Sequence, residues 1–250
     1  MEASLIERLG ATSPEEHELL SGGNLNSEEY FSGGSVVRDK RLFGDGAEIG
    51  IRRHTRFVDF PLHKHDFVEA MIVLSGEVTH TVTGEVIRLS AGDILFLNKH
   101  AEHSIDRTEA KDVAVNVMLS DAFIAGVTPK LSGTVFSPFI KENSTPAGES
   151  AYLHFSAGGS RAIENVTENI IIELLGGHGD NVAAMTVELL LACLARESES
   201  LLVGGGEPMD KATRRMSAVL EYIKANSATA SLSELSGRLY LCVPDRKSVV

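Results

Sequence analysis

The sequence predicts a mainly β protein with α additions: an antiparallel sandwich or barrel, then an antiparallel helix pair, then a short helical region of basic character. Three observations lead there. Between residues 46 and 120 short apolar stretches recur with turn signals between them, the mark of many short strands. From 161 to 196 the apolar spacing becomes that of amphipathic helices. After "VGGGEP" at 203–208 the composition turns basic, as it does beyond a flexible linker. We therefore divide the chain into 1–158 (barrel with an N-terminal extension), 159–202 (helical segment), 203–208 (linker) and 209–250 (basic helical region).

Residues 1–45 read as short helical or irregular pieces broken by "SGGNLNSEEYFSGGS". The strands expected next are "EIGI", "EAMIVLSG", "VTHTVTG", "VIRLSAGD", "ILFLN", "HSI" and "DVAVNVML". "VTHTV" and "VAVNV" alternate with period two, and Thr83-Gly84 and Ala91-Gly92-Asp93 supply turns. Residues 121–158 read as loops with a few strands, such as "YLHFS". In "RAIENVTENIIIELL", Ile163, Val166, Ile170 and Leu174 share a helical stripe, as do Val182, Met185, Leu189 and Cys193 in the next helix. The Gly-rich "GGHGD" between them predicts an antiparallel pair.

Hydrophobic content of 43% and charged content of 23% are those of a soluble globular protein. The net charge of −12 is unevenly spread: residues 209–250 carry +3 and residues 1–208 carry −15. An acidic body is a poor electrostatic match for nucleic acid, so only the tail suits that role. Two cysteines, Cys193 and Cys242, without CxxC spacing exclude a disulfide framework. "MEASLIERLG" is not a secretory signal, and "VELLLACLA" is too short to span a bilayer. A cytoplasmic protein is expected, without membrane partners. No Ser-His-Asp arrangement, P-loop or dinucleotide fingerprint is visible.

The chemistry concentrates in "HKHDFVEAMIVLSG". His63, His65 and Glu69 are separated by even steps, so on one strand they face one side. His103 joins them if the hairpins fold across one another. Three imidazoles and a carboxylate suit a divalent first-row metal ion; equally, they can form a hydrogen-bonded polar cluster lining an organic-ligand pocket. Of the other histidines, at 17, 54, 80, 100, 154 and 178, only His54 and His80 lie near enough in sequence to join. The six read as surface or packing residues.

The run His63-x-His65-x3-Glu69-x6-Gly76 resembles the first cupin motif, and Gly92-x5-Asn98-x-His100-x2-His103 resembles the second. Phe57 stands where the first motif has a glycine, and Asn98 and His100 stand where the second has proline and glycine. The resemblance implies a cupin-type jelly-roll barrel. The order of barrel, helix pair, Gly linker and "VLEYIKANSATASLSELSGRLYL" resembles the AraC/XylS family of transcription regulators, the barrel being similar to the sensor of its sugar-responsive members. That implies a small-molecule effector, with a carbohydrate favoured, a homodimer through the helical segment, and a DNA-binding domain of two helix-turn-helix units.

Ser231-Leu-Ser-Glu234 is a capping box opening a short helix in the basic tail. The resemblance runs to Leu241; "VPDRKSVV" then stands where the first recognition helix belongs. A truncated or frameshifted regulator is expected, with an incomplete helix-turn-helix domain. Only Arg238, Arg246 and Lys247 lie near the would-be reading helix, so DNA binding by this chain is expected to be weak or lost. The rival reading is a metal-dependent cupin enzyme, a dioxygenase or isomerase; a third is a binding-only protein that forms mixed dimers with a relative. The helical additions favour the regulator over the enzyme.

Overall fold

A computed structural model of the chain describes residues 3–25, 35–37, 47–144, 151–176 and 181–205, with Val219 and Ile223. The capping box at 231–234 and Arg238, Arg246 and Lys247 lie outside the described residues. Two short helices, α1 (Ala3–Gly10) and α2 (Pro14–Leu20), precede the strands β1 (Val36–Val37), β2 (Ile49–Arg53), β3 (Phe60–His65), β4 (Val68–Ser75), β5 (Glu77–Val82) and β6 (Glu85–Ser90). Then come β7 (Asp93–Leu97), β8 (His103–Ile105), β9 (Val113–Leu119), the helices α3 (Asp121–Val127) and α4 (Phe136–Ser144), and β10 (Tyr152–Ser156). The helices α5 (Arg161–Leu175) and α6 (Asn181–Leu201) and the strand β11 (Leu202–Gly204) complete the described elements.

The strands form two sheets, β1-β3-β8-β5-β6 and β11-β10-β7-β4-β9-β2. All described pairings are antiparallel except β1 with β3. Strands β4 and β7 are buried almost throughout because the larger sheet is covered on both faces. Met71, Val73, Leu95, Leu97 and Ala114 turn inward to meet Val78, Val82, Leu89 and Ile105 of the smaller sheet. The alternate residues Val68, Ala70, Ile72, Ile94, Phe96, Val115 and Val117 turn outward and pack with residues of α1 and α3–α6. Strands β5 and β6 instead alternate buried and accessible positions, so their outer face meets solvent. The result is a two-sheet jelly roll backed by a helical layer.

The β5–β6 turn is Thr83-Gly84, both at positive φ (48° and 88°), which matches the right-handed twist of the strands it joins. Gly76, the last residue of the first motif, sits at φ 71° with Asp112 pressed against it. A side chain there would meet Asp112 Oδ1, which accepts a hydrogen bond from the Glu77 amide at 2.9 Å.

Three sequence expectations change. The stretch 121–158 holds helices α3 and α4 rather than loops. Ser120 accepts from the Phe123 amide at 3.2 Å to start α3, and burial of Phe123, Ile124, Phe136 and Phe139 secures both helices. The apolar stripe Val182, Met185, Leu189 faces outward, between 51% and 68% exposed. Helix α6 is apolar around most of its circumference, and the opposite set, Ala183, Val187, Leu190, Leu191 and Leu194, is the one buried. Finally, Leu202–Gly204, expected at the end of the helix and start of the linker, add an edge strand to β10, with His154 opposite Gly204.

Candidate functional site

His63 and His65 occupy alternate positions of β3 and both point into the sandwich, each 5% exposed. They do not share a strand with Glu69. The chain turns at Asp66-Phe67, and Glu69 belongs to β4 of the opposite sheet. The even-step reading assumes one strand; the convergence instead bridges the two sheets, because the turn carries the chain from one to the other. His103 needs no folding of one hairpin over another, since it lies directly opposite His63 in the β3–β8 ladder.

The three imidazole centroids are 4.2 Å (His63–His103) and 5.0 Å (His63–His65 and His65–His103) apart. One nitrogen from each lies within 4.8 Å of the others. Glu69 Oε2 is 3.8 Å from His65 Nε2 and 3.9 Å from His103 Nε2, beyond hydrogen-bond range. Glu69 Oε2, His65 Nδ1, His103 Nε2 and, on the wall, His54 Nε2 are buried without hydrogen-bond partners. Each such group costs about 1–3 kcal/mol of desolvation, so the site holds unspent binding capacity.

Electrostatics keep the cluster neutral. Burial pushes the Glu69 carboxyl up to about 8, with a hydrogen bond from Asn116 opposing it only in part. Burial lowers His63, against the opposing hydrogen bond to the Pro61 carbonyl. Burial, reinforced by neighbouring imidazoles, holds His65 and His103 well below the ordinary histidine value. A divalent cation inverts this logic, favouring the carboxylate and bare imidazole nitrogens. The donor set and its unpartnered atoms fit such an ion, with His63, His65, Glu69 and His103 as the residues that would hold it.

Around the cluster lies a chamber of about 40 Å³, walled in part by Val37, Arg52, His54, Phe60 and Asn116. Small-molecule sites run to roughly 300–1,000 Å³, so a chamber of this size suits an ion or a few atoms. A polar outer cleft of about 740 Å³, bordered by α2 residues and Asn24, shares Arg52, Arg53, His54 and Thr55 with the chamber.

Sequence reasoning reads His80 and His54 as surface or packing residues, though they are the only other histidines near enough in sequence to join the cluster, and both adjoin the site. His80 is fully buried, and its ring stacks on His103 at 5.4 Å with 5° between the planes. The signal is present in the sequence: His80 sits at even steps from Val78 and Val82, so the face that buries those valines buries an imidazole. Asn116 alternates with Val115 and Val117 in the same way, and points inward to Glu69.

Residues 45–145 match the AraC-like ligand binding domain. Over these residues the barrel is similar to AraC-like ligand binding domains. A transcriptional activator of the helix-turn-helix type, RhaR of Pectobacterium atrosepticum, is 33% identical over 87 residues, 35% of this chain and 27% of that protein. RhaS of Escherichia coli, another such activator, is 30% identical over 76 residues, 30% of this chain and 27% of its own length. The AraC-like match thus spans little more than a quarter of either activator. Among solved structures, ToxT from Vibrio cholerae O395 aligns with a TM-score of 0.42 and 12% identity, over 78% of this chain and 72% of that one.

Proposed function

We propose that this chain is the sensing part of an effector-responsive transcription regulator of the AraC type. A small molecule binds at His63, His65, Glu69 and His103, and DNA is the partner of the whole protein. The observation that carries this reading is the convergence of buried, unpartnered polar atoms from both sheets inside an AraC-like domain. The two activators similar to the barrel support the regulatory role. A carbohydrate effector follows from the resemblance to sugar-responsive sensors. The chamber of about 40 Å³ is too small for one, so a sugar would lie chiefly in the outer cleft and reach the cluster past His54. The same four residues suit a divalent first-row ion, which would anchor ligand oxygens by polarising them. Among the described residues no helix is long and apolar enough to cross a membrane, in keeping with the cytoplasmic setting of a DNA-binding regulator.

A thermal-shift series tests the reading. The intact chain is melted with a panel of sugars and, separately, with Mn²⁺, Co²⁺, Ni²⁺ and Zn²⁺, alongside His65→Ala. A specific ligand at one hundred times its Kd adds about 2.7 kcal/mol to the folded state, and that gain should disappear in the variant. A wild-type response from His65→Ala removes the site assignment. Oxygen consumption or isomerisation by the metal-loaded chain would establish the enzyme instead.

A further inference from the structure

The unpartnered nitrogen of His103 has a cause, and it lies one layer deeper. His103 Nδ1 is 3.3 Å from His80 Nδ1, and His80 Nε2 is 3.0 Å from Met71 Sδ. All three side chains are fully buried. A thioether sulfur can only accept a hydrogen bond. His80 must therefore carry its proton on Nε2 and direct it at Met71. A neutral imidazole has one N–H, which leaves His80 Nδ1 as a bare acceptor. His103 must then donate from its own Nδ1, and its Nε2 is left with a bare lone pair facing Glu69 and the other histidines. The direction of the whole relay is set by its one member that cannot donate. His63 Nδ1 lies 2.8 Å from the Pro61 carbonyl oxygen, which also only accepts, so His63 too carries its proton on Nδ1.

We propose that Met71 and His80 are positioning residues that lock His103 in the Nδ1–H tautomer, so that its Nε2 presents a lone pair to the cluster, which selects an electron-pair acceptor, a divalent first-row cation. This rests on the site assignment made above and deepens it. Neither residue touches the ligand; both act through His103. Outer partners of this kind typically change metal affinity 10- to 100-fold. The relay also explains a buried histidine on a strand whose other inward positions are valines.

Two measurements separate the relay from the cation. The first is the side-chain ¹⁵N spectrum of the histidine-labelled apo chain, which distinguishes the tautomers directly. We expect His103 as Nδ1–H and His80 as Nε2–H in the wild type. In Met71→Leu, a near-isosteric change without the acceptor, both should become mixtures. His103 found as Nε2–H in the wild type overturns the proposal. The second is titration with Zn²⁺ and Co²⁺, following Co²⁺ absorption. His80→Phe should weaken binding at least about 10-fold, while His80→Gln, able to accept from His103 and donate to Met71, should recover most of it. Equal affinities in wild type, Met71→Leu and His80→Phe overturn the proposal. If His80→Phe does not fold, Met71→Leu carries both measurements. If the wild type takes up neither ion, cation selection falls; the spectrum then still decides the relay, and the effector reading stands or falls on its sugar panel.

Discussion

Phe57 occupies the place where the barrel motif expects glycine, and it takes a glycine's conformation, φ 68°. Its amide donates to the Thr108 carbonyl at 2.9 Å, the Arg56 guanidinium lies over its ring, and only 7% of it is exposed. The left-handed region costs an L-residue roughly 1–2 kcal/mol. Burying the ring outweighs this, since removing a buried Phe typically costs about 3–5 kcal/mol. The two terms separate in a pair of variants. Phe57→Ala should destabilise by about 3 kcal/mol or more, and Phe57→Gly by about 1 kcal/mol less than Phe57→Ala. That reverses the usual order of the two, and urea unfolding of both would show it. A more stable alanine variant would mean the backbone there is not strained.

Helix α2 is attached through two glutamates, Glu15 beside Arg52 and Thr55, and Glu16 beside Arg56. Ser13 and Glu16 form a reciprocal cap, at 2.8 and 3.1 Å. Glu16 also accepts from Arg56 Nε at 2.7 Å and Nη2 at 2.9 Å. Burial alone would raise its pKa, but the Arg56 and backbone hydrogen bonds outweigh it and take the value down to about 2. Because the folded value lies below the unfolded one, the associated stability is complete above about pH 4.5 and is lost as pH falls toward about 2. Glu16→Gln should cost about 3–5 kcal/mol at neutral pH, since it leaves the buried Arg56 unpaired. It should also flatten the stability profile across that acid window. Denaturant midpoints measured between neutral pH and the lower limit check both, and a parallel acid decline in the variant contradicts the assignment.

At this scale the sequence is informative wherever periodicity is clear. The two long helices and the strands of 46–120 other than β3 stand where the pattern puts them; Phe60–His65 is not among the expected strands. It is silent where short elements depend on distant partners: α3 and α4 are too short to show a period, and they owe their stability to the sheet face beneath them. The Ser13–Glu16 cap is legible as S-x-x-E, in a region read only as short helical or irregular pieces. In the cluster, residue types and spacing point to His63, His65, Glu69 and His103, but the strand break at Asp66-Phe67 is not visible, because Val68 continues the apolar run. His80 is readable as an inward position; its contact with Met71 needs the packing of one sheet on the other, which no local pattern encodes.

For the whole molecule, assembly turns on the helical layer. Ile172 and Leu175 of α5 and Val182, Met185 and Leu189 of α6 are 40–68% exposed, although both helices already bury an opposite face against the larger sheet. Scattered apolar residues are ordinary on a surface, but a stripe of them on paired helices is the form of a protein–protein contact. A homodimer through this face is the expected assembly. Light scattering of the intact chain at tens of micromolar should give twice the monomer mass, and Leu189→Glu should give the monomer without lowering the melting temperature of the barrel. A monomeric wild type removes the expectation.

The edge strand β11 has a consequence for reach. Its residues look like the start of a slack connection, yet they are hydrogen-bonded to β10, with Gly205 at φ 64° held so close to the Tyr152 carbonyl that no side chain would fit. Any leash to the basic C-terminal region is therefore measured from Gly205 and not from Val203, shorter by about 7 Å if extended. Its anchor is also no longer the end of a helix. The leash is tied to a ladder that steps from Gly204 and His154 on β11 and β10, across Tyr152 and Leu97, to Glu69 itself.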